Sequence, residues 1–446
     1  MTSTATGLAS TFVVDAGRWP DVARVPDRPL RAAIARRLTR RAVRRLPIRV
    51  LLPDGTNWGG GHADDHALQL VRPDAFFRRV GSGGLIGFGE AYQAGDWDSD
   101  DLAGLLTIMA GELSTLIPTS LQRLRRAAVH RRPDHQDNTV DGARDNIHRH
   151  YDLSNELFSL FLDESMTYSS ALFEGDPTIG HPDGLTTAQH RKIDRLLDIA
   201  CVREGARVLE IGTGWGELAI RAAARGAHVT TVTISVEQAA LARERIADAG
   251  LSERVEVRLQ DYREVDGEFD AIVSCEMIEA VGWNHWPTYF GALDRLLAPG
   301  GRVGLQAITM PHDRMLATRD TYTWIVKYIF PGGHLPSVEA VHEQVAATSL
   351  QVTDELHFGQ HYAETLKRWR RTFLADVDEV QALGFDDVFH RMWSLYLAYS
   401  EAGFRSGYLD VVQFGLGKPA LYLVGGGLSF EEGRMGVDQV LARRSA

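Results

Sequence analysis

Three glycines at alternate positions follow a short apolar segment. Residues 208–216 read Val-Leu-Glu-Ile-Gly-Thr-Gly-Trp-Gly and contain Gly212, Gly214 and Gly216. Glycine allows tight backbone turns and close approach of the backbone to a ligand. A plain tight turn is the simplest alternative, but the strand-like run before the glycines and the helix-like run after them favour a nucleotide-binding turn.

The glycine spacing distinguishes between two kinds of cofactor. An NAD-binding turn would read Gly-x-Gly-x-x-Gly, with an acid about 20 residues later to hold the ribose. This chain has Gly-x-Gly-x-Gly preceded by Glu210, and the next predicted strand ends in Thr-Ile-Ser-Val-Glu-Gln at 233–238. The pattern resembles motif I of class I S-adenosylmethionine (SAM) methyltransferases, which cradles the methionine part of SAM. Thr233 and Ser235 replace the ribose-binding acid of many members, so we expect Gln238 or the backbone to serve.

Strand-like and helix-like runs alternate through the second half of the chain. The predicted strands are 207–211, 228–234, 255–259, 271–274 and 301–308, and the predicted helices are 217–224, 236–249 and 286–297. This alternation predicts an α/β fold with a doubly wound, mostly parallel sheet, of the class I SAM-methyltransferase type. Ligands of such sheets bind beyond the carboxyl ends of the strands, at the topological switch point.

The rest of the chain divides by composition. Composition predicts a smaller N-terminal α/β domain over residues 1–132 and a linker over the polar stretch 133–142. Residues 143–432 then form the methyltransferase domain, followed by a tail at 433–446.

Composition excludes several classes of protein. The chain has 446 residues, 44% of them hydrophobic and 24% charged, with a net charge of -11, which argues against nucleic-acid binding. Cys201 and Cys275 are too few for a disulfide framework or a zinc cluster, so we predict no metal site and a reduced, cytoplasmic setting. The first residues do not resemble a signal peptide, and no apolar run approaches the roughly 18–20 residues of a membrane span. Any membrane contact is therefore expected to be peripheral.

One basic segment could provide that contact. Residues 30–46 contain no acid, and at helical spacing an apolar face forms opposite most of the arginines. The predicted membrane-binding residues are Arg36, Arg37, Arg40, Arg41 and Arg44, and the predicted apolar face comprises Ala35, Leu38, Ala42, Val43 and Leu46. A surface helix that packs this face on its own domain is the alternative; a second basic cluster at 123–132 favours anionic lipid.

Eight segments, taken in order and spacing, resemble the cyclopropane fatty acid and mycolic acid methyltransferases. They are residues 150–155 (HYDLSN), 166–170 (MTYSS), 233–238 (TISVEQ), 260–263 (QDYR), 277–282 (MIEAVG), 327–333 (KYIFPGG), 357–362 (HFGQHY) and 402–405 (AGFR). The likeness runs from about 146 to 416, and residues 84–92 and 95–97 resemble the lipid-side domain of longer members. Within the family, the chain looks most like the methylating component of tuberculostearic (10-methyl stearic) acid synthesis in actinobacteria.

The resemblance implies two sets of site residues. The implied SAM contacts are Tyr168, Ser169, Glu210, Gly212, Thr213, Gly214, Gly216, Thr233, Ser235, Gln238, Tyr262 and Arg263. Family members also bind a bicarbonate ion as base, and the matching positions are Ser170, Glu279, Gln306, Ile308 and Tyr362. Ser170 stands where cysteine is common and Gln306 where histidine is common. On physical grounds alone Glu276 is as good a candidate as Glu279, since both follow a buried strand, and a solvated loop acid is the alternative for each.

These features predict SAM-dependent C-methylation of the double bond of an unsaturated phospholipid acyl chain. We interpret Ser170 and Gln306 as marks of a site that forms a 10-methylene product, since an amide cannot share a proton as histidine can. The alternatives are a cyclopropane synthase, a methyltransferase for oxygen or nitrogen of a small metabolite, and a non-catalytic lipid-binding protein with a SAM fold. The resemblance also suggests a flavin- or NADPH-dependent partner reductase, with a homodimer as a further candidate assembly.

Overall fold

The computed structural model describes residues 13–112, 142, 154–179, 183–424, 427–432 and 435–436. Most of the predicted linker, the basic cluster at 123–132, residues 150–153 and most of the predicted tail lie outside these ranges. The chain divides into two compact units. Unit 1 is drawn from residues 1–132, 320–329 and 366–408, and unit 2 from residues 133–319, 330–365 and 409–446.

The described helices are numbered in chain order. They are α1 Pro20–Ala23, α2 Pro29–Val43, α3 Pro73–Gly83, α4 Leu85–Gln93, α5 Leu102–Gly111, α6 Asn155–Phe161, α7 Leu185–Ile199, α8 Glu217–Ala224, α9 Val236–Asp248, α10 Ile278–Val281, α11 Trp286–Leu296, α12 His312–Thr318, α13 Trp324–Tyr328, α14 Val338–Ala346, α15 Gly359–Ala375, α16 Val377–Ala382 and α17 Asp387–Arg405. Among the described residues, no helix combines the length and apolar character needed to cross a bilayer.

The strands of the described residues form three sheets. They are β1 Arg49–Leu51, β2 Ala67–Leu70, β3 Trp97–Asp98, β4 Arg207–Ile211, β5 His228–Thr233, β6 Val255–Leu259, β7 Phe269–Cys275, β8 Leu297–Thr309, β9 Gln351–His357, β10 Asp410–Gly417, β11 Leu421–Val424, β12 Gly427–Glu432 and β13 Met435–Gly436. The sheet orders are β1-β2-β3, β6-β5-β4-β7-β8-β10-β9 and β11-β12-β13.

The seven-stranded sheet of unit 2 confirms the predicted α/β fold. Strands β4 to β8 run parallel, and β10 is antiparallel to both β8 and β9. The strand order reverses between β4 and β7, so this is the switch point where ligands of such sheets bind. The glycine turn follows β4, and Glu276 and Glu279 follow β7.

Successive apolar side chains of these strands pack against helices on opposite faces of the sheet. Val208 and Ala271 face a cluster that includes residues of α7, α8 and α9. Their neighbours Leu209 and Ile272 face the opposite cluster, which includes residues of α11 and α14. Because successive strand residues point to opposite faces, a strand covered on both sides needs a continuous apolar run. The runs identified in the sequence have this character.

Unit 1 combines N-terminal and C-terminal segments. The predicted methyltransferase domain included residues 320–329 and 366–408, which the structure groups with the N-terminal part. Helix α17 packs on α4 and α5, and Trp324 Nε1 donates to Gln93 Oε1 at 2.8 Å. Buried Arg79 and Asp96 pair at 2.9 Å within the same unit. Sequence order alone does not reveal this grouping, because the contacts join segments about 230 residues or more apart.

Helix α2 corrects the predicted apolar face. Val43 and Leu46 are buried in the protein, whereas Leu38 points outward and is 50% exposed. The exposed apolar side chains of α2 are instead Leu30, Ile34 and Leu38, spaced four residues apart. The predicted face was wrong because it combined Val43 and Leu46, which are buried in the protein core, with Leu38, which is exposed.

The arginines of this segment also differ from one another. Arg36 and Arg40 lie over the ring of Trp58, at 5.4 and 5.5 Å from its centroid. All five predicted arginines are exposed, so the contact with Trp58 is what distinguishes Arg36 and Arg40 from the others. We define the α2 face as Leu30, Ile34 and Leu38 with Arg37, Arg41 and Arg44.

Candidate active site

The glycine turn begins at the end of β4 and leads into α8. Gly212, Gly214 and Gly216 have φ values of 96°, 50° and 93°, which L side chains rarely adopt. A Cβ on Gly216 would lie 3.2 Å from the Cβ of Ala242 in α9. The turn therefore needs glycine both for its backbone conformation and for its close packing.

A cavity of about 190 Å³ opens beside this turn, lined entirely by residues of unit 2. All the predicted SAM contacts except Gly216 and Ser235 line it. Gly216 precedes α8. Ser235 caps α9, since its Oγ accepts from Gln238 N at 3.2 Å. The remaining lining residues include Lys192, Cys275, Glu276 and Met277.

Glu210 gives the cavity a buried acid. Its side chain is 2% exposed, and burial raises its pKa to about 8 against a lowering by the Thr231 hydrogen bond. Its Oε2 is buried and has no hydrogen-bond partner in the described part of the chain. An unpaired buried carboxyl oxygen is costly unless a ligand satisfies it. The ammonium group of SAM's methionine part has the charge and donors to do so.

The amide of Gln238, which the sequence assigned to the ribose, lines the same cavity. Thr233 Oγ1 donates to Gln238 Oε1 at 3.1 Å, which leaves the Nε2 group of Gln238 as its donor toward ribose hydroxyls. On the adjoining wall, both carboxyl oxygens of Asp261 accept hydrogen bonds from the Arg263 side chain, at 2.8 and 2.6 Å. The residues present therefore fit SAM.

Glu276 is the centre of a second group of contacts, directly after β7. Its Oε1 accepts from Ser170 N at 2.9 Å and from Gln306 Nε2 at 2.7 Å, and the Tyr362 side chain also hydrogen-bonds this carboxylate. Its own N–H donates to Gln306 O at 2.8 Å. Glu276 has a φ of 50°, a left-handed conformation that costs about 1–2 kcal/mol for a residue with a side chain.

Glu279 lies one helical turn further on, in α10. Its Oε1 accepts from Ile308 N at 2.5 Å, and its buried Oε2 has no partner among the described residues. Burial, followed by the charge of Glu276, raises the pKa of Glu279 to about 8. Burial also raises the pKa of Glu276, but Lys192 and its three hydrogen-bond donors oppose that shift. The two acids therefore differ in their surroundings: Lys192 and three hydrogen-bond donors favour the charged form of Glu276, whereas burial and the charge of Glu276 favour the neutral form of Glu279.

A chain of side chains fixes the amide of Gln306. Arg195 donates to Gln413 Oε1 at 2.7 Å, and Gln413 Nε2 donates to Gln306 Oε1 at 2.9 Å. Arg195 is paired at 2.7 Å with Asp354. Because a guanidinium only donates, each amide in turn has one orientation, and Gln306 presents its NH₂ group to Glu276.

Comparison with known proteins agrees with this geometry. The protein family described as mycolic acid cyclopropane synthetase matches residues 138–414. The chain is 56% identical to the tuberculostearic acid methyltransferase UfaA1 of Mycobacterium tuberculosis (strain H37Rv) over 418 residues. The aligned region covers 92% of this chain and 98% of that protein. The chain belongs to the mycolic acid cyclopropane synthetase family. It is a SAM-dependent methyltransferase.

Other family members extend the comparison. The cyclopropane-fatty-acyl-phospholipid synthase of Escherichia coli (strain K12) is 36% identical over 344 residues, 76% of this chain and 84% of that protein. The crystal structure of mycolic acid cyclopropane synthase CmaA1 complexed with SAH and CTAB matches with a TM-score of 0.57 and 32% identity, over 64% of this chain and 99% of that one. These matches confirm the predicted family and fold.

The five positions that the family resemblance assigned to bicarbonate are brought together, but they are occupied with one another and with Glu276. Ser170 N, Gln306 and Tyr362 all bond Glu276. Ile308 N bonds Glu279. The Ser170 hydroxyl donates to Ala171 O at 3.0 Å, so only its backbone faces the site. As these groups stand, a bicarbonate ion does not fit among them.

The sequence analysis missed Lys192 as a site residue. Lys192 is fully buried in α7, and its Nζ donates to Ser169 Oγ at 2.5 Å and to Cys275 Sγ at 3.4 Å. Its spacing was the available signal, because Ala188, Lys192 and Leu196 lie four residues apart and share the buried face of a helix. A lysine on such a face needs polar partners, which points to a site.

Proposed function

We propose that this methyltransferase adds the methyl carbon of SAM to the double bond of an unsaturated, oleoyl-type acyl chain of a phospholipid. The product would be a 10-methylene acyl chain, on the path to 10-methyl stearic acid. The observation that carries the proposal is the carboxyl pair Glu276 and Glu279 beside the SAM cavity. Methylation of an alkene leaves a cation that must lose a proton from carbon, and this step needs an acceptor held beside the reacting atoms.

The relatives support an acyl substrate. One is named a tuberculostearic acid methyltransferase and another a cyclopropane-fatty-acyl-phospholipid synthase. The related CmaA1 was solved with SAH, the demethylated form of SAM, and with CTAB, a detergent with one long alkyl chain. The long alkyl chain of that detergent resembles the acyl chain of the proposed substrate.

The protein's own residues would orient the reactants and handle the charge. When bound, SAM supplies an electrophilic methyl group. The glycine turn, Glu210 and Gln238 would hold it in one orientation, and orientation of this kind can contribute on the order of 7 kcal/mol or more. The Tyr362 ring, buried at the site, would present its face to the cation that forms on the acyl chain.

The product depends on which hydrogen moves first. A hydride shift gives the more stable tertiary cation, and loss of a methyl proton then leaves a methylene branch on the acyl chain. Closure before that shift gives a cyclopropane. Gln306 hydrogen-bonds through its amide and cannot accept the proton at neutral pH, so we assign the methylene product to this site.

Product analysis tests this function. The full-length protein is incubated with SAM and vesicles of dioleoyl phosphatidylglycerol, with a sample lacking SAM as the control. Released acyl chains are analysed by mass spectrometry after a derivatisation that distinguishes a ring from a methylene group. We expect acyl chains that have gained one CH₂ and retain a double bond. A cyclopropane as sole product would contradict the assignment and leave methyl transfer in place.

Two rival functions have their own outcomes in this assay. Binding of SAM without turnover on any unsaturated lipid would favour a non-catalytic lipid-binding protein. Turnover on small metabolites, unchanged when residues before 135 are deleted, would favour an oxygen or nitrogen methyltransferase.

We further propose that a separate reductase acts on the product. A 10-methylene chain needs two electrons and two protons to become a 10-methyl chain, and methyl transfer supplies neither. A flavin- or NADPH-dependent enzyme would provide them. The product assay is therefore run with and without such a reductase, and only its presence should give the saturated branch.

We also propose that the α2 face contacts anionic lipid at the inner face of the cell membrane. Leu30 and Ile34 are 81% and 58% exposed, which is costly in water unless another surface covers them. Arg37, Arg41 and Arg44 are exposed on the same segment. Apolar side chains bordered by arginine suit a helix that lies in the lipid interface, with the guanidinium groups at the headgroups.

A further inference from the structure

We propose that Glu276 is the catalytic base of this enzyme, and that its carboxylate takes the place of the bicarbonate ion used by related enzymes. The inference rests on the proposed function, because a base is needed only if the methylated acyl chain must lose a proton. The base would then be a side chain of the protein itself and not a bound anion.

The first support is the arrangement of hydrogen-bond donors. A small anion at this position would need Ser170, Gln306 and Tyr362 as donors, and all three bond the Glu276 carboxylate instead. The other two positions, Glu279 and Ile308, bond each other. A second anion would find at most the carboxyl group of Glu279 as a donor among these five positions, and a charged Glu276 would repel it.

The second support is the position of Glu276. Its side chain lines the SAM cavity, together with Met277 and Cys275. Its left-handed φ of 50° and the bond from its N–H to Gln306 O aim the side chain from the end of β7 into the site. Strained backbone at a cavity is typical of functional residues, although the strain alone would not identify the role.

The third support is the way the carboxylate is held. Gln306 is fixed by the chain through Gln413 to Arg195, so a donor always faces Glu276. These contacts would hold the carboxylate at a set distance from the reacting carbons. They would therefore oppose the formation of an ester bond between a carboxylate oxygen and the cation. Lys192, buried nearby, adds a positive charge that favours the ionised form.

The proposed step is balanced in protons and electrons. The alkene electron pair forms the new bond to the methyl carbon as the carbon–sulfur bond of SAM breaks, and a hydride shift moves the cation to the methyl-bearing carbon. Glu276 then takes one proton from the methyl group, and the C–H electron pair becomes the methylene double bond. The carboxyl group returns its proton to water when the product leaves.

Two variants and two buffers test the inference. Glu276→Gln keeps the shape and removes the base. Glu276→Gly removes the side chain and suits the left-handed φ, so it opens a space that a small anion can fill. Each protein is assayed on dioleoyl phosphatidylglycerol vesicles in buffer freed of CO₂ under argon, and again with added bicarbonate or formate. Glu253→Gln, a change at an exposed acid, is the matched control.

The expected pattern is specific to a side-chain base. The wild type and Glu253→Gln should form product equally with and without bicarbonate. Both Glu276 variants should lose about 100-fold in kcat, and only Glu276→Gly should regain about tenfold with bicarbonate or formate. SAM binding, measured by calorimetry, should be retained in all four proteins, which shows that the losses are not failures of folding.

Two results would overturn the inference, and they differ. A wild type that stops without bicarbonate and recovers with it, beside an active Glu276→Gln, would assign the base to the ion and leave the proposed function standing. A wild type that binds SAM but methylates no lipid in either buffer would overturn the proposed function and this inference with it.

Discussion

At the scale of single residues, the site depends on three buried carboxyl groups in different states. Glu276 has donors around it, whereas Glu210 and Glu279 each keep one oxygen without a partner in the described residues. Two unit charges 4 Å apart interact by about 4 kcal/mol at an effective dielectric constant of 20. Burial first, and then repulsion of this kind from Glu276, raises the pKa of Glu279, and the same repulsion would oppose a bicarbonate ion beside a charged Glu276.

Glu210 makes the stability of the SAM-free protein depend on pH. Its pKa is about 8 in the folded state and near 4.5 when unfolded, so between these values the unfolded chain binds fewer protons. The free energy of unfolding should therefore fall as pH rises from about 5 to 8, by up to about 1.4 kcal/mol per pH unit from this group. We expect Glu210→Gln to reduce this fall, as measured by urea unfolding at pH 5, 6, 7 and 8.

The exposed change Glu253→Gln serves as control and should leave the pH dependence as in the wild type. If Glu210→Gln and the wild type lost stability equally from pH 5 to 8, Glu210 would not be the buried acid that the structure describes. Glu210→Gln should also bind SAM more weakly, because a neutral amide cannot pair with an ammonium group as a carboxylate can.

At the scale of elements, the ends of two strands build the site. The ends of β4 and β7 lie side by side at the switch point, which brings the glycine turn and Glu276 to one cavity. Helix α2 has no such role in the site, and its exposed face is the feature that the cavity does not explain. Its function is therefore tested separately, through membrane binding.

The α2 face should determine binding to anionic vesicles. Replacing Arg37, Arg41 and Arg44 together by glutamine should weaken binding about 100-fold, since each arginine near an anionic surface contributes about 1 kcal/mol. Replacing Leu30, Ile34 and Leu38 by serine should also weaken binding, because these side chains would enter the acyl boundary. The measurement is co-sedimentation with phosphatidylglycerol vesicles.

Two controls belong to this experiment. Arg203→Gln, at an exposed position of unit 2, should bind as the wild type does, and vesicles of phosphatidylcholine alone should bind every protein weakly. Wild-type binding by both α2 variants would assign the membrane contact to another part of the chain.

At the scale of the whole molecule, unit 1 is built from the N-terminal part of the chain and two segments of its second half, 320–329 and 366–408. Helix α5 is strongly apolar, with Leu105 fully buried, and α17 packs against it. Arg391 of α17 donates to Tyr92 O at 2.6 Å and to Trp97 O at 2.9 Å. Without α17 the N-terminal segment would expose this apolar surface and lose these partners.

We therefore expect residues 1–132 expressed alone to aggregate or to melt without a cooperative transition. The full-length chain, measured in the same way by size-exclusion chromatography and circular dichroism, is the control. A monomeric fragment with a cooperative melt would contradict this expectation and would make the N-terminal segment a domain of its own.

The elements near the site were predictable because they depend on local patterns. The predicted helix 217–224 and strands 207–211 and 255–259 have the observed bounds, and the bounds of the other predicted elements differ by one to four residues. The largest difference is β8, predicted at 301–308 and observed at Leu297–Thr309. Gly300 and Gly301 interrupted the apolar run there, whereas pairing with β7 extends the strand.

The site itself was only partly predictable. Its glycine turn needs residues that are adjacent in sequence, and Glu276 and Glu279 stood out because they follow a buried strand. Physical reasoning from the sequence left these two acids equivalent, and the family motif favoured Glu279. Their difference arises from distant partners, because Ser170 lies 106 residues from Glu276 and Gln306 lies 30 residues from it.

The sequence by itself therefore determined the α/β class, the SAM turn and the family, because periodicity, glycine spacing and motif order are properties of the chain. Only the tertiary structure decided which acid receives the donors, that Lys192 is buried beside them, and which side of α2 stays exposed. Each of these depends on burial and on hydrogen bonds between segments far apart in sequence, and both exist only once the sheet has assembled.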